Sequence, residues 1–140
     1  MKKKALISII SNQNYEDNEV IEVVTPGEFH VNDGNYEAIY EETEISGMEG
    51  TTTTLKIFGN EIFLEREGTT TTKMDFKKNN NHVTLYNTPY GMLELKINTK
   101  KLKIDMNDDG GEVHIDYNIS ISGQPPQETQ LKIKINSIEN

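Results

Sequence analysis

The chain has 140 residues, a formal net charge of −9 at pH 7 and no cysteine. This length is typical of one domain, here residues 1–140, and it buries enough surface to form a core without disulfides. The lack of cysteine excludes disulfides, thiolate metal ligands and covalent catalysis through sulfur, and it favours a reducing, cytoplasmic compartment. The acidic balance disfavours nucleic acid as a partner, because phosphate binding needs clustered lysine and arginine.

The first segment, residues 2–10, joins three lysines to a short apolar stretch, as a signal peptide does. The stretch ends at Ser11 without a small-residue cleavage pattern. No later segment approaches the roughly 20 apolar residues that cross a bilayer. We therefore interpret residues 2–10 as the first strand of a cytoplasmic protein with no membrane partner.

Alternation of apolar and polar residues with a period of two runs through nearly the whole chain, and helical periodicity is missing. This pattern predicts β-strands that each have one buried face. It is clearest in the segments 101–106, 112–121 and 131–136.

Clusters of glycine, asparagine, aspartate and proline divide the alternating segments and predict about ten strands joined mostly by hairpins. Pro26-Gly27 and Pro89-Tyr90-Gly91 interrupt strand-like runs, so we expect strands that bend there. Closing such a meander removes its edges. The predicted fold is therefore all-β, a single antiparallel meander barrel of about eight to ten strands. The clusters lie at 12–18, 33–34, 47–50, 59–60, 68, 79–81, 89–91, 98–99, 108–111 and 122–127.

A short repeat occurs at residues 50–58 and 68–76, where each copy begins with one glycine and four threonines. In a meander with one strand between them, the two copies run in the same direction. The preference of threonine for strands explains the repeat without a functional role.

Several residue groups together resemble a known family. They are Tyr40-Glu41-Glu42 with Gly47 and Gly50-Thr51, then Arg66-Glu67-Gly68, then Tyr86 to Gly91 with Leu93-Glu94-Leu95 and Thr99-Lys100, and finally Gly110-Gly111 with Tyr117. These groups resemble the YwiB-like proteins, a small bacterial family of unknown function, over residues 20–135. The resemblance implies a calycin-type, lipocalin-like barrel, but fold kinship is not function. The Gly-x-Trp of lipocalins is absent, because the chain has no tryptophan. The resemblance transfers no catalytic or binding residue.

The meander brings several strand ends together at one end of the barrel and so predicts a candidate ligand site. Arg66, the sole arginine in the sequence, shares a strand face with Ile62 and Leu64, so it points inward and needs a partner. It could hold a carboxylate or phosphate bidentately, with tyrosines and threonines as further donors. Alternatively, Glu42 or Glu44 neutralises it and the cluster only closes the barrel, which we prefer because buried polar groups are normally satisfied internally. The candidate ligand-binding residues are Arg66, Tyr40, Glu42, Tyr86 and Tyr90.

Other polar motifs have structural explanations. The segment 105–110 partly imitates a calcium-binding loop, but strand periodicity on both sides predicts a hairpin turn. His30, His82 and His114 are isolated from one another, and adjacent acids such as Glu41-Glu42 point to opposite faces. The sequence therefore predicts no catalytic residue, no metal site and no cofactor.

Three functional hypotheses remain open. The first is a non-enzymatic protein that binds a small amphipathic or anionic molecule at the barrel mouth. The second is a protein-interaction module whose barrel is filled by side chains, and the third is an enzyme of unrecognised type. The free volume inside the barrel separates the first two. The sequence leaves both a monomer and a homodimer open.

Overall fold

The computed structural model describes residues 2–13, 19–46 and 48–138. They contain β1 (Lys2–Gln13), β2 (Glu19–Asn32), β3 (Asn35–Glu41), β4 (Thr51–Phe58), β5 (Glu61–Gly68), β6 (Thr72–Lys77), β7 (Asn81–Thr88), β8 (Gly91–Asn107), β9 (Gly110–Ile121) and β10 (Gln127–Ser137). All ten belong to one sheet with the order β6-β5-β4-β3-β2-β1-β10-β9-β8-β7. Each described ladder is antiparallel, and the first strand pairs with the last. This meander confirms the predicted all-β barrel.

The two outer strands of the sheet, β6 and β7, meet and nearly close the barrel. Thr71 and Asn87 exchange two backbone hydrogen bonds of 2.9 Å. The Thr72 hydroxyl then donates to the Leu85 carbonyl at 3.2 Å. Beyond these contacts the described parts of β6 and β7 form no ladder. We call the stretch between 73–77 of β6 and 81–85 of β7 the seam.

The inward faces of the strands form one apolar core. Burial alternates strictly along β4, and the inward positions of β5 and β6 oppose those of β4 in register. Side chains therefore pack the middle of the barrel. The largest fully buried ones are Phe29, Phe76, Ile7, Leu55, Ile57, Ile62, Leu64, Leu95, Ile97, Ile115, Ile133 and Ile135.

Most predicted turns connect strands, but two proline and asparagine signals have another role. Asn98-Thr99 lies inside β8, where the register with β9 shifts between Thr99 and Lys101. A bulge of this kind explains the turn-like composition, because it inserts one extra residue into a strand. Pro26-Gly27 lies inside β2, and its register with β1 continues without a shift.

Three other predictions about boundaries need correction or fall outside the structure. Pro89-Tyr90 is the connection between β7 and β8 rather than a bend within one strand. The turn clusters at 33–34 and 47–50 predict a strand over 35–46, but β3 ends at Glu41, and a 3-10 turn, Glu44–Ser46, follows it. The predicted turn at 12–18 falls largely on 14–18, which lie outside the described residues, as does Gly47.

The threonine repeat runs as predicted. Both β4 and β6 pair antiparallel with β5, so they point in the same direction. In the described part of the chain, no helix has the length and apolar character that a membrane crossing requires.

Candidate functional site

One end of the barrel interior is polar. There β3 ends, β4 begins, β5 ends and β6 begins. Tyr40, Thr53, Arg66 and Thr72 lie opposite one another on these four neighbouring strands, and Glu42 follows the end of β3. We call these five residues the polar end.

The Arg66 guanidinium and the Glu42 carboxylate form an ion pair inside the polar end. Arg66 Nε lies 3.7 Å from Glu42 Oε2, and the two side chains are 17% and 5% exposed. This distance is too long for a hydrogen bond. Arg66 Nε is buried and has no hydrogen-bond partner among the described residues. Glu42 Oε2 instead accepts a hydrogen bond from the Thr53 hydroxyl, so Glu42 neutralises Arg66 without satisfying its Nε–H.

Two buried tyrosines, Tyr40 and Tyr117, have pKa values that respond to the charges of Glu42 and Arg66. Burial, reinforced by the negative charge of Glu42, raises the pKa of Tyr40 far above its usual value. Burial also raises the pKa of Tyr117 on β9, although the positive charge of Arg66 acts in the opposite direction. The ring centroid of Tyr117 lies 4.9 Å from that of Phe76. Both phenols are therefore neutral near pH 7, and the Tyr40 hydroxyl is hydrogen-bonded within the polar end, to Thr53 and Glu42.

Buried threonines extend the polar lining. Thr51 and Thr70 are buried beside the polar end, where the Thr70 backbone N–H donates to Thr51 Oγ1 at 3.1 Å. Thr99 and Thr129 flank Tyr117 on the neighbouring strands β8 and β10. Their hydroxyls are buried and have no hydrogen-bond partner among the described residues. Protein groups alone therefore do not satisfy all the polar atoms of this interior.

The structure brings together three of the five predicted site residues, namely Arg66, Glu42 and Tyr40. Tyr86 is half-buried, and its hydroxyl donates to Met48 Sδ at 3.8 Å. Tyr90 is 99% exposed in the β7–β8 connection and does not line the polar end. The predicted convergence therefore holds for the residues on or next to β3 and β5, whereas Tyr86 on β7 contacts Met48 and Tyr90 in the β7–β8 connection projects into solvent.

The sequence interpretation did not include Tyr117, Thr99 and Thr129 among the site residues. Alternation in β9 places Tyr117 inward with Val113 and Ile115, so the sequence alone predicts the inward orientation of its side chain. The effect of the Arg66 charge on its pKa could not be inferred in the same way, because β5 and β9 are not neighbouring strands in the sheet.

The remaining polar motifs lie away from the polar end. Asp108-Asp109 forms the connection between β8 and β9. His30 and His114 contact Glu28 and Glu112 respectively. Within 2–13, 19–46 and 48–138, no three or more histidine, cysteine, aspartate or glutamate side chains are grouped to hold a metal ion.

Fold and site together define a class: a small antiparallel barrel with a packed core and a charged pair inside one end. Residues 7–133 match the family described as "Domain of unknown function (DUF1934)". The chain therefore belongs to this family, whose function is not known.

Two comparisons agree with this assignment. The chain is 27% identical over 128 residues to the "Uncharacterized beta-barrel protein YwiB" of Bacillus subtilis (strain 168), which covers 89% of this chain and 88% of that protein. Its fold is similar to the crystal structure of the ywiB protein from Bacillus subtilis, with a TM-score of 0.86 and 22% identity, covering 97% of this chain and 92% of the other. These findings confirm the resemblance to YwiB-like proteins.

Proposed function

We propose that the protein binds a small anionic molecule at the polar end of its barrel and does not catalyse a reaction. The observation that carries this proposal is the buried Nε–H of Arg66, which has no hydrogen-bond partner among the described residues. A guanidinium has five N–H donors in a planar fork that matches a carboxylate or phosphate. A buried polar atom without a partner calls for an explanation such as a bound water or ligand.

Each neighbouring residue has a role in this proposal. Arg66 anchors the anion through its guanidinium donors, and Tyr40 is a neutral neighbour whose hydroxyl is already hydrogen-bonded to Thr53 and Glu42. Glu42 holds the guanidinium in place, but its charge also opposes an incoming anion. We therefore expect an affinity that falls as the salt concentration rises.

The packed core limits the size of the ligand. Large apolar side chains fill the barrel directly below Arg66, including Leu64 on the same strand. An anion at the polar end therefore binds at the mouth and does not enter the barrel as a long chain would. A cytoplasmic location is part of the proposal and is supported by the absence of cysteine.

A second candidate function is docking of a protein partner on the outer surface. Its support is the same packed core, together with an acidic outer face on β3 and β5. Glu37, Glu41, Glu61, Glu65 and Glu67 lie on these two strands outside the core. On this alternative, Arg66 and Glu42 only close the barrel.

Native mass spectrometry of protein purified gently from its own cells tests the first proposal. We expect a retained adduct on the wild type and its loss in Arg66→Met, which keeps side-chain bulk but removes every donor. Lys56→Met is the matched control, because Lys56 also forms an ion pair, with Glu65 at 2.7 Å, but lies elsewhere on the barrel. It should keep the adduct.

The variant Arg66→Lys separates binding from folding. It keeps a positive charge beside Glu42, so we expect a wild-type melting transition with weaker retention of the adduct, because lysine cannot form the bidentate fork. An unliganded wild type, or an adduct that survives in Arg66→Met, would refute the proposal and favour the docking alternative.

A further inference from the structure

A groove of about 560 Å³ lies on the outer surface of the barrel and shares no residue with the polar end. Two adjacent rows of outward side chains on β8, β9, β10, β1 and β2 form it, and the strand register sets each row. One row is Lys103, His114, Lys132 and Ile10. The other is Lys101, Asp116, Gln130, Asn12 and Val20, with Leu102 and Leu131 completing the lining.

Charge is unevenly distributed along this groove. Its β8–β10 half presents Lys101, Lys103, His114 and Lys132, and Asp116 is the one acidic residue among the described residues of the lining. Such a cluster of lysines contrasts with the net charge of −9 of the whole chain. One half of the groove therefore attracts anions.

The lysines on β8 are available to a ligand. Lys132 and His114 share Glu112, at 3.9 and 3.3 Å. Lys101 and Lys103 form no ion pair within the part of the chain that the structure describes. Exposed ammonium groups of this kind lose little when they turn toward a bound anion, because surface ion pairs are weak.

The other half of the groove holds its exposed apolar side chains. Ile10 on β1 and Val20 on β2 line it beside Asn12, and Val20 is 56% exposed. The next outward residues along these strands are Ser8 and Glu22, so the apolar surface of this half of the groove is confined to Ile10 and Val20.

We propose that this groove binds a small amphipathic anion, with its charged group at Lys101 and Lys103 and its apolar part on Ile10 and Val20. The separation of lysines and apolar side chains into two halves matches a ligand with one charged and one apolar end. The groove volume lies within the usual range of roughly 300 to 1,000 Å³ for small-molecule sites. This site is independent of the polar end, so either proposal stands if the other fails.

Titration of the full chain with laurate, below its micelle concentration, tests the site by amide chemical shifts. We expect saturable shifts in β8, β9, β10 and β1. Acetate carries the charge alone and dodecanol the chain alone, so each should bind more weakly than laurate. Equal binding of laurate and dodecanol, or the absence of saturable shifts at the groove, would overturn the proposal.

Paired charge reversals supply the matched control. Lys101→Glu with Lys103→Glu should weaken laurate binding roughly fivefold to tenfold, because each exposed pair is weak but the two reversals replace attraction by repulsion at the charged end of the ligand. Lys96→Glu with Lys134→Glu makes the same change in net charge on β8 and β10 but outside the groove, and should leave affinity nearly unchanged. Equal losses in both double variants would show a general charge effect and refute the site.

The variant Arg66→Lys distinguishes this site from the polar end. Laurate affinity should be unchanged in it. If Arg66→Lys removed laurate binding while the two β8 lysine reversals did not, laurate would bind at the polar end and the groove proposal would fail.

Discussion

The Glu42 carboxylate neutralises Arg66 but does not accept a hydrogen bond from the Arg66 Nε–H. Burying a charge is costly unless it is paired, and Glu42 supplies the pairing charge at 3.7 Å. The same carboxylate already accepts the Thr53 hydroxyl. The pair therefore satisfies the electrostatic requirement of the barrel end and still leaves the Nε–H donor open, which is why closing the barrel and binding an anion remain compatible roles.

The Glu61 and Asp75 carboxyls form a second residue-scale feature, on the outer face of β5 and β6. Their hydrogen bond, with burial as a second cause, raises the pKa of Glu61 above the ordinary value of 4.5. A carboxyl with a raised folded-state pKa contributes stability that is fully present below pH 4.5 and is lost as the pH rises through the raised pKa. At neutral pH the two carboxylates therefore repel each other.

The variant Glu61→Gln keeps the neutral form at every pH. We expect it to stabilise the protein at pH 7 by up to about 0.5 kcal/mol, the usual limit for a surface site, with the gain disappearing as the pH falls below 4.5. Urea unfolding at several pH values measures this. Glu65→Gln is the control, since Glu65 pairs with Lys56 at 2.7 Å and should not gain stability. A gain that is independent of pH would contradict the carboxyl-pair explanation.

At the scale of the elements, close approach of three strands depends on Gly27. A Cβ at this position would lie 2.5 Å from the Ile39 carbonyl oxygen on β3 and 2.5 Å from Ile7 Cδ1 on β1. The Ile7 methyl can move, but the Ile39 carbonyl belongs to the backbone. Glycine in the middle of β2 thus permits the β1–β2–β3 packing.

We expect Gly27→Ala to destabilise the protein by about 1–3 kcal/mol, as overpacking typically does. Chemical unfolding monitored by circular dichroism measures the change. Ala38→Gly on β3 is a useful comparison, since it removes a methyl from the same region without adding one. If Gly27→Ala had the same free energy of unfolding as the wild type, β3 would have moved away from the added methyl group at no cost, and the prediction would be wrong.

At the scale of the whole molecule, the barrel closes by one pair of backbone hydrogen bonds at Thr71 and Asn87. Backbone groups alternate in direction along a strand. The backbone N–H groups of Lys73 and Asp75 are therefore directed to the same side as that of Thr71, which is the side of the seam. Met74 and Phe76 point theirs toward β5, with which β6 forms a ladder.

Hydrogen exchange measured by NMR should reveal this alternation. We expect the amides of Lys73 and Asp75 to exchange on the order of a hundredfold faster than those of Met74 and Phe76, because exchange tracks the hydrogen bonding of each amide. The β1–β10 ladder serves as the protected reference. Uniform protection along β6 would show that the seam is closed in solution.

Charge also divides the molecule at this scale. Acidic side chains concentrate on β3 and β5, whereas the outward side chains of β8 and β10 include most of the lysines outside the first strand. The strands β8 to β10 carry six lysines and five acidic residues, so this side is close to neutral although the chain has a net charge of −9, and the lysines of the proposed groove are a local cluster within it. The net charge of a protein affects its solubility but does not predict the charge of an individual surface region.

By itself the sequence determined the strands, most of the turns and which side chains point inward. Period-two alternation and turn-forming residues act over a few positions, so Arg66, Tyr40 and Tyr117 can each be assigned a face from their own strand. Even the convergence of β3, β4 and β5 at one end follows from consecutive hairpins.

Only the tertiary structure decided where the barrel closes and which inward residues meet across it. The contact of Tyr117 with Phe76, the open seam and the two rows of the outer groove depend on register and on the stagger of strands far apart in sequence. Tyr90 shows the same limit, because its place near the polar end in the chain order does not fix the direction in which a turn residue projects. Alternation assigns a side chain to one face of its strand, and only closure of the sheet assigns it neighbours.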